Sequence, residues 1–191
     1  PRFILIDNIE NLNKNSINAL LKIVEEPKKN LFFILIHNNQ TKILPTLISR
    51  CLTFNINLNF NEVVSISNKI TKKNIFEILN ENLINHYSSP GQIVRLINYS
   101  NEKKIDLKNL SLENLLINLI DNNSYKKNTY VKELLIDLIQ LFFLNKYKLS
   151  HNKKNYINLY HDFMLKIYNT NKFNLDEESL FLEFKTKLLN V

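Results

Sequence analysis

The residue types that most often perform catalysis or bind metal ions are few in this chain and widely scattered. Its one cysteine, Cys51, excludes an internal disulfide framework and a zinc site built from several cysteines of these 191 residues. The four histidines lack the short spacings typical of metal ligands; they are His37, His86, His151 and His161. Asp162 follows His161 directly, but no nucleophile with supporting residues lies near this pair in the sequence. We therefore predict no metal site within these residues.

Three other polar residues could do chemistry because of where they lie. Asp7 closes the apolar run of residues 3–6, and Asn38 follows the apolar run of residues 31–36. Arg50 comes directly after a short helical pattern. Asp and Asn at strand ends are also ordinary turn residues, and an arginine can simply be exposed in a loop. The residue types alone leave both interpretations open.

The composition predicts a soluble, cytoplasmic protein of a reducing compartment. Apolar residues make up 45% of the chain, enough for a core, and the longest apolar run is far shorter than the roughly 18 residues of a membrane-spanning helix. The formal net charge of +7 admits a nucleic-acid partner. The lysine pairs are scattered along the chain, however, and are most simply solvated; they are Lys28-Lys29, Lys72-Lys73, Lys126-Lys127 and Lys153-Lys154. We expect no membrane partner.

The first part of the chain has the pattern of a strand–helix–strand unit. Two apolar runs, residues 3–6 and 31–36, predict strands buried on both faces. Between them, an apolar stripe at helical spacing follows a predicted N-cap at Asn15-Ser16, and the helix must end before Pro27. The connection through a helix predicts parallel strands. Because two parallel strands need neighbours and helices on both faces, we expect further strands upstream of Pro1.

The remaining chain is predicted to be mainly helical. A short helix over residues 42–49 and a half-buried strand over 52–58, with alternating apolar residues, complete the first part. Helical patterns then cover residues 61–71, 74–86, 90–99, 111–122, 128–147, 153–169 and 176–189. The fold class is thus α/β followed by all-α. We predict three domains: residues 1–58, the C-terminal part of a parallel-sheet domain; 59–101, a small helical domain; and 102–191, a helical bundle.

Three motifs, read together, carry a family resemblance. They are Phe-Ile-Leu-Ile-Asp at 3–7, Asn-Ala-Leu-Leu-Lys-Ile-Val-Glu-Glu-Pro at 18–27, and Ser-Arg-Cys at 49–51. Their order and spacing resemble the AAA+ clamp loaders of DNA replication, and are closest to the delta-prime group of DNA polymerase III subunits. The resemblance implies an N-terminally truncated chain. It also implies that residues 59–101 form the lid domain and residues 102–191 the collar through which such subunits assemble.

The resemblance also implies roles for single residues. Arg50 corresponds to the arginine finger, a catalytic group that reaches the γ-phosphate of ATP bound by a neighbouring subunit. Ser49 and Cys51 are the motif residues that would position it or pack beside it. Asp7 corresponds to the Walker B aspartate and Asn38 to the sensor-1 residue, so both are assigned to a vestigial nucleotide-binding site.

Other positions depart from the pattern of the hydrolysing family members. Asn8 stands where such members have the glutamate that orients the attacking water, and a neutral amide cannot accept a proton. Glu10 lies three residues after Asp7 and is not expected to substitute. Gly91 stands where hydrolysing members carry a phosphate-sensing arginine, with Arg95 a weak replacement. The resemblance therefore implies that this chain binds no cofactor, and that ATP and Mg²⁺ are bound by the neighbouring subunit.

The expected function is that of a non-hydrolysing stator in a clamp loader, without ATPase or polymerase activity of its own. The implied partners are the gamma/tau and delta subunits, the sliding clamp and primed DNA. Three alternatives stay open. The chain could be an active motor subunit of the gamma/tau type, a basic helical module that binds nucleic acid through residues 59–191, or a non-functional remnant.

Overall fold

The computed structural model describes residues 1–38, 43–126 and 128–189. Within it the chain folds as two compact units, Pro1–Asn57 and Leu58–Val191. Each unit has an apolar core of its own. The described helices include none that is both long and apolar enough to span a membrane.

The first unit is the predicted strand–helix–strand arrangement followed by a short helix. Its elements are β1 (Arg2–Ile6), a 3₁₀ turn (Ile9–Asn11), α1 (Lys14–Glu25), β2 (Leu31–Leu35) and α2 (Pro45–Ile48). The two strands are parallel, in a register that runs from Arg2 opposite Leu31 to Ile6 opposite Leu35. The predicted parallel pairing is confirmed.

One face of this two-stranded sheet is covered and the other is not. Because side chains alternate along a strand, Ile6, Phe33 and Leu35 share one face, and this face packs on the core formed by Ile9, Leu20 and Leu47. The opposite face is exposed; its residues are Phe3, Leu5, Phe32 and Ile34. The expectation of strands buried on both faces is therefore wrong for the described residues.

Helix α1 begins earlier than predicted and ends where expected. Its N-cap is Asn13, whose side chain accepts a hydrogen bond from the Ser16 backbone at 2.9 Å, so the predicted cap at Asn15-Ser16 is wrong. An Asn at the cap satisfies one of the backbone N–H groups that a helix start leaves unpaired. The helix ends at Glu25, because the residue before Pro27 is forced out of helical geometry.

The predicted strand over residues 52–58 does not form. This stretch has no ladder hydrogen bonds, and the side chains of Leu52, Phe54 and Ile56 are 81% to 88% exposed. An alternating apolar pattern makes a strand only where a neighbouring strand and a core meet it. Just before this stretch, the predicted helix over residues 42–49 is observed as α2, with Pro45 at its first turn; residue 42 lies outside the described residues.

All regular secondary structure described in the second unit is helical. Its helices are α3 (Phe60–Thr71), α4 (Ile75–Ile78), α5 (Pro90–Lys103), α6 (Leu112–Asp121), α7 (Thr129–Leu149), α8 (Lys153–Phe173) and α9 (Glu177–Leu188). The single helix predicted over residues 74–86 is instead α4 and a 3₁₀ turn, because Leu79 is extended and Asn80 caps the turn. Helix α5 continues to Lys103, past its predicted end at residue 99.

One large core holds the second unit together. Buried apolar residues from α3 to α9 form a single cluster, in which the rings of Phe142, Phe143, Phe163 and Phe184 meet at centroid distances of 5.1 to 6.1 Å. The predicted division into a lid and a collar at residue 101 stays a prediction.

Candidate functional site

The Ser-Arg-Cys motif lies in the tight turn that follows α2. The backbone N–H of Arg50 donates to the Leu47 carbonyl at 3.1 Å, and that of Cys51 donates to the Ile48 carbonyl at the same distance. Leu47 is buried in the core of the first unit and anchors this turn. The turn therefore holds the backbone of Arg50 in place.

The guanidinium of Arg50 is partly exposed and held at two of its nitrogens. Nη1 donates to the Thr46 carbonyl at 2.7 Å and lies 3.4 Å from the Ser49 hydroxyl. Nη2 forms an ion pair with Glu25, the last residue of α1. The side chain is 37% exposed, so the guanidinium lies at the surface of the first unit and is not part of its core.

The two other residues of the motif support the turn. The Ser49 hydroxyl donates to the Thr46 carbonyl at 3.0 Å, so this carbonyl accepts from both Ser49 and Arg50. Cys51 is a half-buried free thiol that packs against the core of the first unit. These contacts agree with the predicted positioning and packing roles, which stay predictions.

A second cluster lies where the two strands end. The Ile36 N–H donates to the Ile6 carbonyl at 2.9 Å, which brings the residues after β1 close to those after β2. There the Asn38 side-chain amide donates a hydrogen bond to the Asn8 side-chain oxygen. Asp7 is exposed and accepts from the Asn8 backbone N–H at 2.9 Å. The structure thus brings together Asn38 and Asn8, two positions 30 residues apart.

Glu10 belongs to the same cluster, which sequence reasoning had not suggested. Its Oε1 accepts a hydrogen bond from the Asn38 backbone N–H at 3.3 Å. Its Oε2 is buried and has no hydrogen-bond partner among the described residues. Glu10 therefore joins Asn8 in contacting Asn38, and together they link the two strand ends.

The positions resembling the phosphate-sensing helix lie in the second unit. Gly91 is in the first turn of α5, and a methyl group there would approach only the Ser89 hydroxyl, at 3.8 Å. Packing therefore does not require a glycine at this position. Arg95 is bound within its own unit, because its Nη1 lies 2.6 Å from Glu133 and 3.7 Å from Asp137.

The described residues contain no group of three or more His, Cys, Asp or Glu side chains placed to hold a metal ion. At the strand ends the donor set is two carboxylates, of Asp7 and Glu10, and the amides of Asn8 and Asn38, which bond to each other. Each carboxylate already accepts a backbone hydrogen bond, from Asn8 and Asn38 respectively.

Sequence reasoning missed two partners of Arg50. The backbone carbonyl of Thr46 leaves no trace in residue type, so no pattern could have identified it. Glu25 belongs to the Glu-Glu-Pro end of the second motif. Because this motif and Ser-Arg-Cys belong to one family pattern, a contact between the two motifs was the signal that could have identified Glu25. The structure therefore connects two of the three motifs directly, through one ion pair.

Comparison with known proteins finds a family match over the first part of the chain. Residues 1–60 match the sequence model of the family described as DNA polymerase III, delta subunit. This region contains all three motifs. The match supports a place for this part of the chain among the clamp-loader subunits of DNA polymerase III.

Individual relatives carry the names of several subunits. DNA polymerase III subunit gamma of Buchnera aphidicola subsp. Baizongia pistaciae is 45% identical over 87 residues, 44% of this chain and 24% of that protein. Subunit delta' of the same organism is 46% identical over 55 residues, 29% of this chain and 16% of that protein. Subunit gamma of Buchnera aphidicola subsp. Schizaphis graminum is 31% identical over 157 residues, 78% of this chain and 38% of that protein.

Two facts follow from these relatives. The chain spans no more than 38% of the length of any of these three proteins. The gamma and delta' relatives of one organism match at nearly equal identity, so similarity alone does not separate the two subunit types.

Proposed function

We propose that this chain is a clamp-loader subunit of the delta-prime type, which supplies Arg50 to ATP bound by a neighbouring subunit and does not hydrolyse ATP itself. The observation that carries the proposal is the placement of Arg50. Its backbone is anchored in the turn after α2, and its guanidinium is partly exposed.

An arginine presented in this way suits phosphoryl transfer. When water attacks the γ-phosphorus and ADP leaves, negative charge shifts onto the phosphoryl oxygens and the bridging oxygen. A guanidinium remains protonated and presents a planar fork of N–H donors to such oxygens. In this proposal, Arg50 approaches the neighbour's γ-phosphate and stabilises that charge.

The strand-end cluster supports the non-hydrolysing half of the proposal. Asn8 stands where hydrolysing family members have the glutamate that orients the attacking water. The side-chain oxygen of Asn8 already accepts a hydrogen bond from Asn38. An amide engaged in this way neither takes a proton from water nor binds Mg²⁺ well. Gly91 also supports the non-hydrolysing half of the proposal. It stands where hydrolysing members carry a phosphate-sensing arginine, and no crowding at this position accounts for the absence of a side chain.

The proposed partners follow from the family resemblance. The gamma/tau subunit would bind the ATP that Arg50 approaches, and the delta subunit would complete the assembly that loads the sliding clamp onto primed DNA. The helical second unit would supply the collar contacts. Several large apolar side chains of α8 are about half exposed there, among them Ile157, Leu165 and Tyr168.

The decisive experiment is steady-state ATP hydrolysis by a reconstituted loader that contains the full chain, its sister subunits, clamp and primed DNA. Arg50→Ala should leave assembly intact and lower kcat by roughly 10³-fold or more at the affected site, since arginine fingers contribute about 10³ to 10⁵. Arg50→Lys should restore little, because lysine lacks the fork. The control Arg2→Ala removes an exposed arginine of β1 and should change nothing. Unchanged turnover with Arg50→Ala would overturn the proposal.

A second candidate is an active motor subunit, favoured by the gamma relative that aligns with 78% of this chain, far more than the 29% covered by the delta' relative. The two candidates differ in what the chain does with nucleotide by itself. Under the delta-prime proposal, the purified protein has no ATPase activity. Measurable hydrolysis that is lost on Asp7→Ala would instead establish the motor subunit.

A further inference from the structure

We propose that Glu25 is a positioning residue for Arg50: the ion pair holds the guanidinium of the free chain in a defined orientation and is exchanged for the neighbour's triphosphate on docking. This inference rests on the proposed function of Arg50. Among the described residues, Glu25 is the only carboxylate that pairs with this guanidinium.

The location of Glu25 is unfavourable for a helix by itself. It is the last residue of α1, and Glu26 follows it directly. The C-terminal end of a helix carries partial negative charge, so two acidic residues there repel both the helix dipole and each other. The positive charge of Arg50 offsets this repulsion at Glu25. The ion pair therefore gives a local reason for a glutamate at a position that helix energetics disfavours.

The contacts divide the guanidinium into two functional edges. Nη1 is held by the Thr46 carbonyl, a backbone contact inside the same turn. Within the described part of the chain, Nη2 is held only by Glu25, which reaches it from a different element. Without Glu25 the guanidinium keeps one anchor and can turn about it. With Glu25 both edges are fixed, so less side-chain freedom is lost when the triphosphate binds.

The exposure of the pair allows the exchange. The Arg50 and Glu25 side chains are 37% and 46% exposed, so water and salt weaken their attraction. A triphosphate carries more negative charge than one carboxylate and can take over Nη2. A buried pair would resist this step, because breaking it leaves an uncompensated charge in the interior.

The test uses the same reconstituted loader and the variant Glu25→Gln. We expect kcat to fall about two- to five-fold, the size expected for an exposed ion pair, while the KM for ATP is unchanged. Raising the salt concentration should shrink the difference from the unsubstituted protein, because the pair is screened. The matched control is Glu26→Gln, which removes the same charge one residue later. Among the described residues the Glu26 side chain makes no hydrogen bond or ion pair, so the loader that carries Glu26→Gln should keep the unsubstituted kcat.

The double variant separates positioning from general damage to the fold. If Glu25 acts through Arg50, then Glu25→Gln should have no further effect on the residual rate of Arg50→Ala. An equal fall in kcat with Glu26→Gln, or a further fall in the Arg50→Ala background, would overturn the positioning role. So would a Glu25→Gln loader that turns over at the unsubstituted rate. If Arg50→Ala itself leaves turnover unchanged, the proposed function fails instead.

Discussion

The two units of this protein differ in how much apolar surface they bury. Among the described residues, the core of the first unit has three buried members, Ile9, Leu20 and Leu47, whereas that of the second unit has 29. The first unit also leaves a sheet face exposed, with Phe3 64% and Leu5 61% accessible. All three family motifs nevertheless lie in the first unit. The residues proposed to act on a partner are thus carried by the less well packed part of the molecule.

This difference shows that conformational stability and proposed chemistry have separate sources here. A unit with few buried side chains gains little hydrophobic free energy to offset the loss of chain entropy. The second unit buries far more and needs no motif residue to do so. Substitutions that damage stability should therefore cluster in α3 to α9, and those that damage function alone should cluster around Arg50.

The largest expected effect comes from separating the units. A fragment of residues 58–191 should fold with strong helical circular dichroism and unfold cooperatively on heating, because its core lies within those residues. A fragment of residues 1–57 should show no cooperative transition by itself, since three buried side chains cannot hold it. A sharp melting transition of the 1–57 fragment would contradict the comparison.

A single core substitution in the second unit should have the next largest effect. Phe142 is 1% exposed and its ring meets Phe143 and Phe184, so Phe142→Ala should lower the free energy of unfolding by about 3–5 kcal/mol. Denaturant titration followed by circular dichroism measures this change. The control Leu165→Ala alters a residue that is 50% exposed and should stay within about 0.5 kcal/mol. Similar losses from both variants would show that this core is loosely packed.

The smallest effects concern two carboxylates whose pKa values shift in opposite directions. Burial raises the pKa of Asp137 above its ordinary 3.8, although a hydrogen bond from Gln92 and the charge of Arg95 oppose this. A hydrogen bond from the Ser179 hydroxyl, with further backbone hydrogen bonds, lowers the pKa of Asp176. As pH rises, Asp137 therefore loses its proton at a lower pH in the unfolded chain than in the folded protein. The free energy of unfolding falls as pH rises from about 3.8 through the folded pKa. The lowered pKa of Asp176 stabilises the folded protein above about pH 3.8, and this contribution is lost as pH falls through the folded pKa.

Melting temperatures across pH test these signs. Asp137→Asn should melt higher than the unsubstituted protein at neutral pH, and the advantage should disappear below pH 3.8. Asp176→Asn should melt lower at neutral pH and approach the unsubstituted protein in acid. Shifts of the same sign in both variants would contradict the assignment.

Local patterns predicted most of the elements, and the strand that failed is one that needs a distant partner. The apolar runs and Pro27 were enough to predict β1, α1 and β2, because the two runs can pair with each other across the helix between them. Residues 52–58 carry a strand pattern without a strand, because pairing needs a partner that the pattern cannot supply.

The same distinction applies to the site. The motifs identified Arg50 and Asn38 as candidates, but their contacts with Glu25 and Asn8 cross 25 and 30 residues of sequence. Such proximity depends on the tertiary fold, which the residue types at these positions do not reveal. The roles of both candidates stay predictions.

The backbone of Asn8 limits which residues this position accepts. Asn8 adopts φ 52° and ψ 56°, the left-handed conformation, which asparagine tolerates far better than most other residues. Asn8→Glu would place a longer side chain on this backbone at a cost of about 1–2 kcal/mol, and would also remove the oxygen that Asn38 uses. Installing a carboxylate at this position would therefore require the loop to be rebuilt as well as the side chain exchanged.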